Sequence, residues 1–171
     1  MLDIKGLFTK KEKPIRNNYG LGINDDLYKI ALEVCEGING SGEYAKLSAL
    51  FLVEIAMVET KGGKYWDKTT YAGMGLTQID KIGFDDTIKR TSDKHKEQVL
   101  NYFGVDLDKC EWVELRHNPR LAFIITRLFL LLRKGRVPDT IEARANYWKR
   151  YYNTVAGKGT EEKYIQSNLK A

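Results

Sequence analysis

Cysteine, histidine and proline are scarce in this chain: two, two and three among 171 residues. Cys35 and Cys110 lie far apart without metal-ligand spacing. They read either as two reduced core thiols or as one bridge, and no redox chemistry is implied by them. His95 and His117 have no paired-ligand pattern and read as surface or capping residues, so neither a metal nor a cofactor is expected. Long apolar runs are missing too. The longest, Leu121 to Leu132, is broken by Arg127 and is too short to cross a bilayer. It reads as a buried helix, and no stable membrane insertion is expected. The opening stretch, MLDIKGLFTKKEKPIRNN, has neither an apolar h-region nor a small-residue cleavage site, so no secretory leader is expected there. No segments alternate as several long strands would, and none repeats.

What is present suffices for one core. Hydrophobic residues make up 43% and charged residues 30%, as in a soluble globular protein, and the length suits one domain. Twenty-eight basic against twenty-three acidic residues leave +5, a modest excess that favours anionic partners without choosing among nucleic acid, acidic wall polymer and membrane surface. Residues 1–23, with Lys10, Lys11, Lys13 and Arg16 around Pro14, read as a basic N-terminal arm, and 24–171 as a single domain. Asn24 as N-cap, with Asp25 and Asp26 in the first turn, opens a helix whose Leu27, Ile30, Ala31, Val34 and Ile38 share a face up to Gly40. Ser41 is expected to cap a second helix, apolar on nearly every side from Tyr44 to Val58, which belongs in the middle of the domain. Residues 61–75 read as a loop or small sheet, and Leu76–Arg90 and Ser92–Tyr102 as short helices. Asn118 and Pro119 open a buried helix stopped by Gly135; Asp139 or Thr140 caps the next, and Thr160 a last one through Leu169. The fold class is mainly α.

The central helix carries Glu54 and Glu59, five residues apart and so about 140° apart around the axis, which one solvent stripe cannot explain. A carboxyl at the end of an apolar helix, facing a cleft, loses hydration when ionised. Its protonated form is then favoured, as a general acid near neutrality requires. The plainer reading of Glu59 is an exposed helix-end residue paired with Lys61 or Lys64. The residues after it are distinctive. Glu59-Thr60 is succeeded by a loop and then by Gly73-Met74-Gly75-Leu76-Thr77-Gln78-Ile79, with Gln78 nineteen residues after the acid. Glycines at 73 and 75 would let backbone approach a bound group without a Cβ in the way, and the Gln78 amide can both donate and accept toward it.

This combination resembles the lysozyme-like lytic transglycosylases of the soluble lytic transglycosylase catalytic-domain family, whose signature is Glu with Ser or Thr, a loop, then Gly-x-Gly-Leu-Met-Gln and an apolar residue. RYYNTVAGKGT is similar to their late Ala-Tyr-Asn-Ala-Gly-like segment, matched at Tyr152-Asn153 with Gly157 and Gly159 as the departing glycines. The likeness spans roughly 41–160 and leaves out the arm and Thr91–Arg116. Thr77 departs from the usual Met, and the Lys- and aromatic-rich stretch after Glu59 points to a phage-type relative.

The resemblance implies a two-lobed helical domain with a central buried helix and at most a small β-hairpin. It implies cleavage of the MurNAc-GlcNAc β-1,4 bond of peptidoglycan, with Glu59 as general acid and then base while a 1,6-anhydro ring closes. Thr60, Tyr71, Gly73, Gly75, Leu76, Gln78, Tyr152 and Asn153 would contact substrate. It further implies a monomer acting on glycan strands, made in the host cytoplasm and brought to the wall by holin release or with a virion. Two rivals stand beside it. One is a hydrolytic phage-type lysozyme using Glu59 with Asp67, eight residues on, or with Asp80. The other is a basic helical module, structural in a virion or binding nucleic acid through KKEKPIR and YWKRYY, although nucleic acid is not the partner expected. Tyr65, Trp66, Trp112 and Trp148 read equally as sugar platforms or as packing.

Overall fold

The computed structural model describes residues 18–66, 72–153 and 157–169. Asp67, Tyr71 and most of the basic arm therefore lie outside the described residues. Within them run seven α-helices: α1 (Leu27–Asn39), α2 (Glu43–Thr60), α3 (Lys81–Arg90), α4 (Asp93–Phe103), α5 (Pro119–Leu131), α6 (Ile141–Trp148) and α7 (Glu161–Leu169). Two short 3-10 turns, Leu107–Lys109 and Trp112–Arg116, precede α5, and one π-helical turn, Lys149–Asn153, prolongs α6. Among the described residues the β pairing is a single antiparallel bridge between Met74 and Ile79. The protein is mainly α. No described helix is long and apolar enough to cross a membrane.

Because α2 is apolar nearly all round, it can be satisfied only by neighbours on several sides, and it packs against α1, α5 and α7. Phe51, Leu52, Ile55 and Ala56 are fully buried there. α5 is the second interior helix, and it buries even Arg127, whose Nε donates to Asn39 Oδ1 at 2.9 Å. Cys35 in the core and half-buried Cys110 are free thiols, which burial pushes up to about 12 and about 11.

Several boundaries differ from the sequence reading, each for a local reason. Asp26, not Asn24, caps α1, accepting from Tyr28 N–H at 2.9 Å, while Asp25 turns back to accept from Gly22 N–H. Gly42, with no side-chain cap, replaces Ser41 before α2. α5 stops at Leu131, short of Gly135. The helix expected from Leu76 begins only at Lys81, because Gly75 and Gln78 both take positive φ and Asp80 supplies the cap. The end of the arm also belongs to the domain. Tyr19 is core, and its neighbour Gly20 lies where a Cβ would meet the His117 carbonyl at 2.0 Å.

Candidate active site

Glu59 is the penultimate residue of α2. The helix ends there because Lys61 adopts the left-handed conformation, and Gly62 and Gly63 continue with positive φ, so the chain folds back beside the acid. The carboxyl is half-buried, and its described partner is an indole rather than a lysine: Trp148 Nε1 donates to Glu59 Oε1 at 3.2 Å. Desolvation lifts its pKa to about 7, against the Trp148 hydrogen bond and the charge of Lys163, which pull it down. A surface ion pair with Lys61 or Lys64 is not what this residue makes.

The glycine segment is tied to that helix end. The fully buried Thr60 hydroxyl lies 2.8 Å from the Leu76 carbonyl and 3.1 Å from that of Ala56, and it accepts from Gly63 N–H. Residues 73–79 then form a tight reversal, with Met74 N–H donating to Ile79 O at 2.9 Å and the Gln78 side-chain amide to Gly75 O at 2.8 Å. The reversal is clamped from outside by Trp112, whose Nε1 donates to Ile79 O at 2.9 Å.

These contacts correct part of the sequence reading. At Gly73 and Gly75 the space a side chain would fill is taken by protein. A Cβ at Gly73 would lie 2.4 Å from the Gln78 carbonyl, and one at Gly75, where φ is +76°, would lie 2.5 Å from that of Leu115. Both glycines are required by protein backbone. Thr60 and Leu76 are likewise sealed in the interior, at 0% exposure, and position the loop instead of touching substrate. Asn153 accepts from Lys149 Nζ at 3.0 Å and packs where Cβ atoms at Gly157 and Gly159 would stand, so it braces the chain entering α7. Gln78 remains at the surface of the reversal, half-buried, with its amide nitrogen 3.5 Å from the Tyr19 hydroxyl. Tyr65 is exposed, whereas Trp66 packs tilted against Tyr19 and stacks on His117, and Trp112 is core.

Tyr152 closes the group. Its hydroxyl donates to the Thr77 carbonyl at 2.7 Å, and burial, followed by the charge of Glu59, raises its pKa. Thr77, standing where the resemblance expects Met, accepts from Thr126 of α5 at 2.8 Å inside the core. Asp80 caps α3 through Gly83 N–H, and its charge also reaches Tyr152. Acid, reversal and tyrosine thus form one cluster, reached from α2, the 73–79 segment and the π-helical turn.

Comparison of the chain with protein-family models, with curated proteins and with solved structures finds no match in any of the three.

Trp148 is the participant that the sequence reading did not place. A signal for it existed, since it stands four residues before Tyr152 and so falls on nearly the same helical face. Its N–H favours the ionised acid, so Trp148→Phe is expected to raise the Glu59 pKa. A hydrogen bond to a charged group is worth roughly 1.5–3 kcal/mol. The midpoint of the Glu59 carboxyl titration, followed by NMR, should therefore move up by about one pH unit. An unmoved midpoint would reduce Trp148 to packing.

Proposed function

We propose that the protein is a peptidoglycan lytic transglycosylase with Glu59 as its single acid and base. The observation that carries this reading is a carboxyl held near pKa 7 at the end of a buried helix, with the Gly-x-Gly-Leu-x-Gln reversal and Tyr152 fastened beside it. A carboxyl so placed is substantially protonated at neutral pH and can deliver that proton to the leaving glycosidic oxygen. The N-acetyl carbonyl of the substrate shares the oxocarbenium charge. The resulting Glu59 carboxylate then takes the proton of the muramoyl 6-hydroxyl as the 1,6-anhydro ring closes, returning the acid to its starting state. Tyr152 orients the site from the Thr77 carbonyl, and Gln78 offers its amide at the rim. Delivery to the wall by holin release or with a virion belongs to the same reading.

A hydrolytic lysozyme is the second reading, favoured by one observation: Asp80, the cap of α3, follows the reversal directly and supplies a second carboxylate next to it in the chain. Mass spectrometry of digested peptidoglycan separates the two. Anhydro-muramoyl ends, lighter by one water, are expected; reducing ends alone would overturn the transglycosylase.

A further inference from the structure

On α6 and its π-helical extension, Trp148 and Tyr152 turn toward Glu59 and Thr77, whereas Tyr147 and Tyr151 turn elsewhere and pack on one another with ring centroids 4.7 Å apart. Successive helical positions differ by about 100°, so these two pairs serve neighbouring faces. Beside Tyr147 and Tyr151 opens a cleft of about 420 Å³, lined also by Lys134, Arg136, Arg150 and Asn146. No carboxylate is among the described residues lining it.

Some of the chain's cations sit beside carboxylates. Lys81 meets Asp85 and Arg120 meets Glu33, as solvated faces usually arrange. Lys134, Arg136 and Arg150 make no ion pair with a described carboxylate, and neither does adjacent Arg133. The three arginines are held by rings instead. The Arg136 guanidinium stands 4.2 Å over Tyr44, Arg150 stands 5.2 Å over Tyr151, and Arg133 stands 3.9 Å over Phe129 with its Nε buried and unpartnered. Aromatic support fixes a guanidinium plane that would otherwise sway in water. Arg136 also borders a second groove containing Glu43 and Asp139, without pairing with either. Cations that line one cleft with no carboxylate among its lining residues repel one another, and that repulsion is relieved when an anion enters.

We infer that this cleft binds the phosphodiester groups of an anionic polyol or saccharide polymer. A phosphodiester's two non-bridging oxygens project from a tetrahedral phosphorus and share one charge, so they can accept from arginines on more than one side, whereas a carboxylate holds its two in the plane of its carbon. The cleft is of ligand size and open, which suits a chain passing through it. Nucleic acid fits less well because base stacking requires bare aromatic faces. Here Tyr147 is buried, Arg150 covers Tyr151, and Trp148 of the same segment is interior. Binding at this cleft does not depend on the Glu59 chemistry, so the two can fail separately.

The test measures binding of labelled poly(glycerol phosphate) by the full chain carrying Glu59→Gln, so that no cleavage intervenes. Polyglutamate, an oligo-dT strand and phosphatidylglycerol vesicles serve as parallel probes. Poly(glycerol phosphate) is expected to bind most tightly, in a salt-dependent way. Adding Arg136→Ala and Arg150→Ala should weaken it about 10-fold. Both side chains are exposed, so the unfolding midpoint should not move. In the parent with Glu59 intact, the same two substitutions should leave digestion of polymer-free glycan unchanged. Equal binding after the double substitution would overturn the inference, as would tighter capture of polyglutamate, of oligo-dT or of vesicles.

Discussion

Glu59→Gln is expected to lower lytic turnover by about 10⁴-fold, the upper end of what one general acid–base group contributes, because in the proposed mechanism the same carboxyl serves both the cleavage and the ring closure. It is also expected to make the protein more stable at pH 8. The sign is set by the raised pKa. The unfolded carboxyl titrates near its ordinary 4.5 and the folded one near 7, so between those values the folded protein holds a proton that the unfolded chain has released. Stability therefore falls as pH rises through that window and is level above it. Glutamine keeps the shape and can still accept from Trp148, but it carries no charge to bury. Relative to wild type, the variant should be equivalent near pH 4 and gain progressively to a plateau above pH 7. The carboxyl is only half-buried, which discounts the gain to on the order of 2 kcal/mol. For a chain of this size that is roughly 4–8 °C in melting temperature. Digestion rates and melting curves across pH measure both halves. Undiminished lysis would remove Glu59 from the chemistry, and a loss of stability at pH 8 would make it a structural residue instead.

The chain announced its two interior helices and several of its caps because those rest on local chemistry. An all-round apolar stretch has nowhere to go but inward, and Asn118-Pro119 and Thr140 open helices by hydrogen bonds within one turn. The desolvated carboxyl of Glu59 was legible for a similar reason, being the one carboxylate at the end of such a stretch. The reasons for the glycines were not legible. Close approach to a sugar and close approach to a carbonyl demand the same residue, and only the packed chain identifies the neighbours as Gln78 and Leu115. Thr77 was equally opaque, since its departure from Met makes sense only with Thr126 opposite, 49 residues away. The segment from Thr91 to Arg116, outside the resemblance, supplies Trp112 and Leu115 as the outer wall of the reversal, a long-range contact that carries no local signature.

Glu54→Gln should do the opposite of the substitution at Glu59, although both residues lie on α2. Glu54 is buried and accepts from Arg144 through both oxygens, at 2.6 and 2.8 Å, and from the Tyr164 hydroxyl at 2.6 Å. Asn168 of α7 donates to its backbone carbonyl. One carboxylate thus fastens α6 and α7 to the central helix. Arg144 is anchored further by the carbonyls of Pro138 and Asp139, so it cannot follow a lost partner out to water. Glutamine in its place leaves a buried guanidinium without its counter-charge and turns an amide N–H₂ toward donors. Breaking a buried pair from one side typically costs about 3–5 kcal/mol, much of a domain's stability. Denaturant unfolding should report that loss with an unchanged slope. Replacing both members, Glu54→Met with Arg144→Met, should recover part of it, because an apolar pair of similar volume leaves no charge stranded, although the Tyr164 hydroxyl and the Pro138 and Asp139 carbonyls lose their partners. Turnover per folded molecule should stay within about 10-fold of wild type, since no atom of Glu54 reaches the cluster around Glu59 and Tyr152, whereas removing a general acid costs at least about 100-fold. If Glu54→Gln instead leaves stability intact and abolishes turnover, the two glutamates have exchanged roles and the acid has been misassigned.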